Sequence, residues 1–485
     1  MSGGALLECR LCYDLLQQAR KTPDDTLFKS KRCICHPAML RRSLKPTIIE
    51  SIPVLTRSKP KVWLEAYGCS ASMADSEMIS GLLRGAGYEI ASKQSEGTLN
   101  LIVTCSVKDT TEHRMVSRIR AMSKSGKPLV VAGCMPKANR TMVESLNSSA
   151  SLLGPHSIDG VTDVVGSALA GSRLVALEDS SVDKVNIPRV RLNPVVSIVE
   201  IASGCMSECT FCQTKIAKGW IRSYRIGDIK RQIKADVECG CKEVWLTSTD
   251  NGCYGKDIGT DLVELLKACC SVEGDFKIRL GMMNPMYMRG MLERMIGVFC
   301  ENDKLFRFLH IPVESGSDRV LRKMKRGHTA RTFLDAVQAF RSKIHEMTIS
   351  TDVIVGFPSE TEHDFEETLD LIERAEPDIV NISRYGARPG TEAAKWKGIR
   401  VGSEVSKERS EQLHSFAKRI AKRRNSLWLD WEGEIIIDEM GKVVQGRNYA
   451  YKPVVLSNPG KVSIGDRMRV KVYDFSNFSL KAKII

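Results

Sequence analysis

Short apolar runs alternate with segments of helical periodicity over most of the chain, from Lys61 onward. Runs such as 99–104 and 128–133 are rich in Leu, Ile and Val, and apolar residues recur every three or four positions between them. Alternation of strand-like and helical patterns is typical of α/β domains with a parallel sheet. The pattern therefore predicts such a domain over residues 61–170.

The same alternation continues over residues 191–425. Strand-like runs lie at 195–201, 244–246, 276–280, 306–311, 349–355 and 379–383. Six strands with helical segments between them predict a (β/α)6 partial barrel. In barrels of parallel strands the functional residues lie at the carboxyl ends of the strands, so we expect the chemistry of this segment there.

The pattern changes at residues 426–485 to short alternating runs. Turn residues separate these runs, for example at Asn458-Pro459-Gly460 and Ile464-Gly465-Asp466. Alternation with frequent turns predicts a small all-β barrel. The predicted fold class is α/β, with a parallel-sheet amino-terminal domain, a partial-barrel core and a carboxy-terminal β barrel.

Residues 1–60 form a basic extension with poor periodicity. Its residue types allow a structural zinc site, with the candidate ligands Cys9, Cys12, Cys33, Cys35 and His36. Zinc ribbons usually place two residues between the members of each cysteine pair, and the second pair has only one. A zinc knuckle and a disordered or loosely packed arm both remain open.

Composition places the chain among soluble globular proteins of several domains. It has 485 residues, of which 42% are hydrophobic and 27% charged. No apolar stretch approaches the roughly 18 to 20 residues of a membrane span, and the first residues lack the pattern of a secretory leader. We expect a cytoplasmic protein without a membrane anchor, in which clustered cysteines bind metal rather than form disulfides.

The formal net charge of +14 suggests a polyanionic partner. In the tail, cations and aromatic rings interleave, as suits contacts with phosphates and unpaired bases. The candidate RNA-binding residues are Arg447, Tyr449, Lys452 and Arg469. A solvated face on an ordinary barrel is the alternative for the same pattern.

Six cysteines fall into two sets of three. One set is a C-x3-C-x2-C loop after the run 195–201, made of Cys205, Cys209 and Cys212. The other set stands at the ends of three separate strand-like runs, at Cys69, Cys105 and Cys134. Because carboxyl ends of parallel strands share one edge of a sheet, we expect this second set to converge. A 4Fe-4S cluster takes four ligands, so three cysteines leave one iron open for reaction, whereas buried unreactive thiols are the alternative.

The cysteine loop carries a resemblance to a known superfamily. With Phe211 before the third cysteine, the segment 205–212 resembles the radical S-adenosylmethionine signature C-x3-C-x-aromatic-C. The resemblance implies that the loop holds three corners of a 4Fe-4S cluster and that the fourth iron binds S-adenosylmethionine.

Further motifs narrow the resemblance to the methylthiotransferases, which join a three-cysteine domain, a radical core and a TRAM barrel. They include Tyr67-Gly68-Cys69, Gly133-Cys134-Met135-Pro136 and Arg388-Pro389-Gly390-Thr391. The motif Cys105-Ser106-Val107-Lys108 is most similar to that of the archaeal and eukaryotic branch, which acts on N6-threonylcarbamoyladenosine at position 37 of tRNA. The resemblance covers residues 61–485.

The resemblance implies two 4Fe-4S clusters, one in each cysteine set, and two S-adenosylmethionine molecules per turnover, one as methyl donor and one as radical source. The implied partners are the tRNA anticodon loop and a reducing electron donor. The implied cofactor-binding residues are Phe211, Asp250, Asn251, Glu314, Ser315, Asp352, Gly356, Phe357 and Pro358. No catalytic side chain is assigned beyond the cluster ligands.

Two other substrates fit the same family: isopentenyladenosine in tRNA, and an aspartate of a ribosomal protein. A non-catalytic iron–sulfur protein that only binds RNA is the alternative of another class. Glu314 departs from the Gln that family members often have there, and it places a carboxylate near the expected cofactor pocket.

Overall fold

The computed structural model of the chain describes residues 60–106, 109–180 and 182–485. Pro60–Ile485 form one compact unit by their contacts. The amino-terminal extension with its candidate zinc ligands lies outside the described residues, as do Val107 and Lys108 of the family motif. The question of zinc therefore stays a prediction.

A parallel sheet with helices on both faces follows the extension. Its strands are β1 (Lys61–Ala66), β2 (Glu89–Ile90), β3 (Leu99–Thr104), β4 (Leu129–Gly133), β5 (Ser151–Leu153) and β6 (Val175–Ala176). Its helices are α1 (Ser70–Gly85), α2 (Asp109–Ser123), α3 (Cys134–Ala138), α4 (Arg140–Leu146) and α5 (Val161–Leu169). The strand order is β2-β1-β3-β4-β5-β6, so β1, β3 and β4 are neighbours.

Strand β3 shows why a buried parallel strand appears in the sequence as a nearly continuous apolar run. All its residues are buried, because Leu101 and Val103 face the cluster formed with α1 and α5, while Ile102 faces the cluster formed with α2 and α4. A parallel strand covered on both faces has no polar side to alternate with. The predicted α/β domain is confirmed, and its sheet extends to Ala176, beyond the predicted end at 170.

Six parallel strands form the second part of the described chain. They are β7 (Val196–Glu200), β10 (Glu243–Thr247), β11 (Lys277–Leu280), β12 (Phe308–His310), β13 (Thr348–Val355) and β14 (Ile379–Arg384), and the short strands β8 (Ala202–Ser203) and β9 (Arg222–Ser223) pair beside them. The helices are α6 (Thr214–Lys218), α7 (Ile226–Glu238), α8 (Leu262–Cys270), α9 (Leu292–Glu301), α10 (Asp318–Met324), α11 (Ala330–Lys343), α12 (Glu362–Ala375) and α13 (Ser403–Ser426).

These strands run in sequence order as two three-stranded sheets joined by a bridge between Ile278 and Leu305. The predicted order of strands and helices is confirmed. Strand β12 is shorter than its predicted run 306–311, because Phe306 donates its backbone N–H to Ile278 of β11 rather than pairing with β13.

A closed β barrel ends the chain. Its strands are β15 (Glu432–Met440), β16 (Val444–Arg447), β17 (Pro453–Leu456), β18 (Arg467–Phe475) and β19 (Leu480–Ile484), in the order β15-β16-β17-β19-β18. Ile435, Val454 and Val470 are among its buried core residues. The predicted small all-β barrel is confirmed.

Helix α13, the longest in the described part of the chain, leads into the barrel. It is amphipathic: Leu413, Ala417 and Ile420 are buried, and charged residues cover its other side. No helix within the described ranges combines the length and apolar sequence needed to cross a membrane.

A buried carboxyl group where the core meets the barrel makes stability depend on pH. Glu243 is fully buried, and its carboxylate accepts a hydrogen bond from Trp245 Nε1 at 3.0 Å. Burial raises the pKa of Glu243 to about 7 from its ordinary 4.5, and the nearby charge of Asp438 adds to the rise. The unfolded chain loses this proton first, so stability falls as pH rises from 4.5 to 7, by up to about 3 kcal/mol.

In the variant Glu243→Gln the side chain has nearly the shape of the protonated carboxyl group but cannot lose a proton. Between pH 5 and pH 8 the wild type should lose about 2 kcal/mol of unfolding free energy through this group, and the variant should not. The stability of the variant relative to wild type should therefore rise by that amount over the range. Urea denaturation at the two pH values measures this, with exposed Glu273→Gln as the matched control. A difference between Glu243→Gln and wild type that stays constant with pH would contradict the assignment.

Candidate functional site

The cysteines at the carboxyl edge of the first sheet come together as expected. Cys105 directly follows β3, Cys134 begins α3 directly after β4, and Cys69 lies at the start of α1 after β1. The Cys105 thiol hydrogen-bonds to Cys69, and the charge of Cys69 acts on Cys134. Gly68 allows the close approach, because its φ is +118° and a Cβ there would lie 2.3 Å from the Cβ of Cys105.

The first triad contains one cysteine with a lowered pKa and one with a raised pKa, and a buried cation lies beside it. The hydrogen bond from Cys105 holds the pKa of Cys69 well below its usual range, against the effect of burial. Burial raises the pKa of Cys134 to about 12, and the ammonium group of Lys218 opposes that rise. Thiolates are the metal-binding form of cysteine and are favoured beside a cation, so these residues fit a thiolate-bound cluster.

Lys218 belongs to a buried chain of charges that joins the two α/β parts. Its Nζ lies 2.9 Å from Glu200 Oε1, and Lys184 Nζ lies 3.1 Å from Glu200 Oε2 and 2.6 Å from Asp75 Oδ1. All four side chains are 5% exposed or less. Burial opposes ionisation, yet the two ammonium groups hold the pKa of Glu200 at about 2. The chain links α1 of the first domain to β7 and α6 of the core.

The second triad lies in the loop between β8 and α6. Cys212 donates its backbone N–H to the carbonyl of Cys209 at 3.1 Å, and Ser207 donates its own to Cys205 Sγ at 3.3 Å. The charge of Cys212 acts on Cys209, and that of Cys205 acts on Cys212. The loop thus gathers its three thiols around one place, which fits three corners of a cluster.

Three further side chains lie beside this loop. Arg326 is 4% exposed and donates a hydrogen bond to Cys209 Sγ at 3.4 Å. On the other side, Cys253 hydrogen-bonds to Cys205 and lowers the pKa of Cys205 to about 7. The carboxylate of Asp250 also lies near, with its Oδ2 3.9 Å from Cys205 Sγ.

Gly204 positions the start of the loop, and its substitution gives a testable result. Its φ is +75°, and a Cβ at this position would lie 1.9 Å from the backbone oxygen of Trp220. Gly219 is the matched control, because its φ is +67° and nothing lies within 4 Å of its Cβ position.

We expect Gly219→Ala to cost about 1 kcal/mol of folding free energy, from its positive φ alone. Gly204→Ala should cost about 3 kcal/mol, because the collision with backbone is added. Chemical denaturation of the two variants measures the difference. Equal losses would show that the close approach at Gly204 does not matter.

A cavity of about 140 Å³ opens beside the second triad. Three of the predicted cofactor-binding residues, Phe211, Glu314 and Asp352, line it. His310 Nε2 lies 3.2 Å from Asp352 Oδ2, and Asn381 donates a hydrogen bond to Asp352 Oδ1 at 2.7 Å. The cavity therefore offers two carboxylates and an aromatic edge to a ligand that carries an amine or hydroxyl groups.

The other predicted cofactor-binding residues do not line this cavity. Phe357 is buried behind it, with its ring centroid 6.2 Å from that of Phe211, and its neighbours Gly356 and Pro358 are buried too. Ser315 is buried and accepts a hydrogen bond from the backbone N–H of Ser317.

Asp250 and Asn251 lie on the side of Cys205 instead. Asp250 caps the turn Asn251–Cys253, and the Asn251 amide donates to the carbonyl of Met282 at 2.8 Å. The structure thus divides the predicted set between the cavity wall, the packing behind it and the cluster loop.

The predicted RNA-binding residues of the barrel need a correction. Lys452 is 4% exposed, and its ammonium group lies 2.8 Å from Asp378 Oδ1 and donates to Asn425, also at 2.8 Å. Its charge serves the contact with the core, so the expectation that it faces RNA is wrong.

Arg447 and Tyr449 are occupied by similar contacts. Arg447 Nε lies 2.9 Å from Asp438 Oδ2, and Arg307 of the core lies 4.8 Å from the centroid of the Tyr449 ring. Arg469 is exposed. Of the four predicted residues, Arg469 thus remains as a candidate RNA contact at the surface.

Sequence reasoning missed several residues that the structure places at the site. Arg326 and Lys218 are buried cations next to cysteines, and Arg388 forms an ion pair with Glu112 of α2 at the cavity wall. Basic residues at such positions carry no local signal of burial. The family motif Arg388-Pro389-Gly390-Thr391 did contain Arg388, but nothing in the sequence indicated its pairing with Glu112.

Both α/β parts match known families. Residues 61–154 match the model described as "Uncharacterized protein family UPF0004", and residues 199–372 match that of the "Radical SAM superfamily". The first match contains Cys69, Cys105 and Cys134, and the second contains the cysteine loop.

The chain is also similar to curated proteins over most of its length. It is 38% identical over 413 residues to the "Probable threonylcarbamoyladenosine tRNA methylthiotransferase" of Pyrococcus abyssi, a match that covers 84% of this chain and 96% of that protein. It is 35% identical to the "Threonylcarbamoyladenosine tRNA methylthiotransferase" of Drosophila melanogaster, over 91% of this chain and 80% of that protein. The identity with the Mus musculus protein of the same name is 33%, over 97% and 82% of the two chains.

Proposed function

Because the chain belongs to the family of threonylcarbamoyladenosine tRNA methylthiotransferases, we propose that it adds a methylthio group to N6-threonylcarbamoyladenosine at position 37 of tRNA. It is a radical S-adenosylmethionine enzyme, with an iron–sulfur cluster and S-adenosylmethionine as cofactors. Two 4Fe-4S clusters, two S-adenosylmethionine molecules per turnover and a reducing electron donor are the finer parts of the proposal.

The convergence of two separate cysteine triads supports the proposal of two clusters. The first triad lies at the carboxyl ends of three parallel strands and the second lies in the loop between β8 and α6. Each has a buried cation beside it, Lys218 for the first and Arg326 for the second. A closed structural site would use all its ligands, whereas two sites with three ligands each suit chemistry at open irons. This arrangement favours an enzyme over a protein that only binds RNA.

The residues of the site have distinct tasks in this proposal. S-adenosylmethionine at a reduced cluster supplies radical chemistry, which acid–base groups cannot perform at an aromatic carbon. Arg326 donates a hydrogen bond to Cys209 and offsets thiolate charge. Glu314 and Asp352 offer acceptors to the amine and hydroxyl groups of a ligand in the cavity, and Phe211 forms its apolar edge. Lys218 offsets the charge of the first triad.

Nucleoside mass spectrometry tests the substrate. Anaerobically reconstituted protein is given S-adenosylmethionine, sulfide, a reductant and one of two tRNA pools, one bearing threonylcarbamoyladenosine and the other isopentenyladenosine. We expect the methylthio product in the first pool. Product in the second pool alone would keep the chemistry and overturn the substrate, and cofactor cleavage with no product in either pool would indicate a protein substrate.

A further inference from the structure

A groove along α13 carries cations that the fold itself does not use. Its volume is about 540 Å³, and it is lined by one face of α13 together with Arg384 at the end of β14. Lys407, Glu411, His414 and Lys418 follow the helical repeat, so their side chains lie in one row. All four helix residues are exposed. Arg384, Lys407 and Lys418 supply the positive charges of the groove.

Other cations of the same helix are held in ion pairs. Arg409 lies 2.8 Å from Glu360, Arg423 lies 3.0 Å from Glu373, and Arg424 lies 3.3 Å from Asp378. These arginines fasten α13 to the core.

The groove cations lack such partners. Among the residues that the structure describes, no carboxylate lies within 4.0 Å of the charged groups of Arg384, Lys407 or Lys418. Unpaired positive charge along a concave surface is typical of a site that binds a polyanion.

The groove also leads to the place of the chemistry. Arg384 lines both this groove and the cavity beside Phe211, so the two adjoin at that residue. From Lys407 to Lys418 the helix rises about 16 Å, a distance over which one nucleic-acid strand presents several phosphates. A strand whose base enters the cavity can therefore lay its backbone along the row.

We propose that Arg384, Lys407 and Lys418 bind the phosphate backbone of the RNA substrate beside the nucleotide that enters the cavity. The inference rests on the proposed function and names the surface that holds its substrate. Lysine contacts to phosphate position the strand and carry no base specificity. The groove thus adds affinity without selecting among tRNA sequences.

The test compares two charge-matched double variants in full-length protein. Lys407→Ala/Lys418→Ala removes the groove lysines, and Lys93→Ala/Lys124→Ala removes two exposed lysines of the first domain. Affinity for tRNA is measured over a series of salt concentrations. The groove variant should bind about ten-fold more weakly at low salt, and its slope of log affinity against log salt should be smaller by roughly 1.5 to 2. The control should keep the wild-type slope.

Cleavage of S-adenosylmethionine without tRNA should be unchanged in the groove variant, because neither lysine lines the cavity. If the groove variant binds tRNA with wild-type affinity and wild-type salt slope, and the wild-type protein does methylthiolate tRNA, then the groove proposal alone is overturned. A wild-type protein that shows no salt-dependent binding of tRNA and modifies an acidic peptide would overturn both the groove and the proposed function.

Discussion

Replacing Cys209 by Ala should abolish the reductive cleavage of S-adenosylmethionine to 5′-deoxyadenosine. The loop then holds only two cysteines, which are too few for a 4Fe-4S cluster that needs three protein ligands and an open iron. Arg326 is also left buried without the sulfur to which it donates. Iron and acid-labile sulfide in the reconstituted protein should fall by about half if the first triad keeps its own cluster.

Cys300→Ala is the matched control for this experiment. Cys300 is exposed and stands in α9, away from both triads. It should leave iron, sulfide and cofactor cleavage at wild-type values. Iron in Cys209→Ala that equals that of wild type would contradict the assignment of the loop, and complete loss of iron would show that the two sites do not assemble independently.

Replacing Lys218 by Met should destabilise the fold by about 3 to 5 kcal/mol. The change leaves the buried carboxylates of Glu200 and Asp75 with the single ammonium group of Lys184. An uncompensated charge in the interior costs more than the lost ion pair itself. Urea denaturation of the cluster-free protein measures the loss without any contribution from bound iron.

Two further variants separate this explanation from simple loss of packing. Lys218→Met/Glu200→Gln restores the balance of charge, so it should be more stable than Lys218→Met alone. Lys481→Met breaks an exposed pair with Asp474, in which both side chains are 47% exposed, and should destabilise the fold far less than Lys218→Met does. A double variant that is less stable than Lys218→Met would contradict a buried charge imbalance.

The order of elements could be predicted from the sequence because most strands are covered on both faces. In β3 every residue is buried, so the apolar run and the strand coincide. The edge strands β2 and β6 have only two residues each and leave no such pattern. For that reason the predicted first domain ended at residue 170, although its sheet ends at Ala176.

The cysteines of the site could be predicted because their signal is local spacing or position at strand ends. The contacts around them could not, since Arg326 lies 117 positions from Cys209 in the chain. Lys452 of the barrel is a case in which a sequence pattern led to a wrong prediction. Alternation of basic and aromatic residues marks a binding face, but it does not tell whether that face meets RNA or, as here, the core of the same protein.

The most direct test of the two-triad mechanism follows the methyl group of isotopically labelled S-adenosylmethionine into tRNA. Wild type, Cys69→Ala and Cys209→Ala are each incubated anaerobically with tRNA that bears threonylcarbamoyladenosine, and the nucleosides are analysed by mass spectrometry. We predict labelled methylthio product with wild type and none with either variant. Labelled methylthio product from Cys69→Ala at the wild-type level would contradict the claim that the first triad takes part in the reaction.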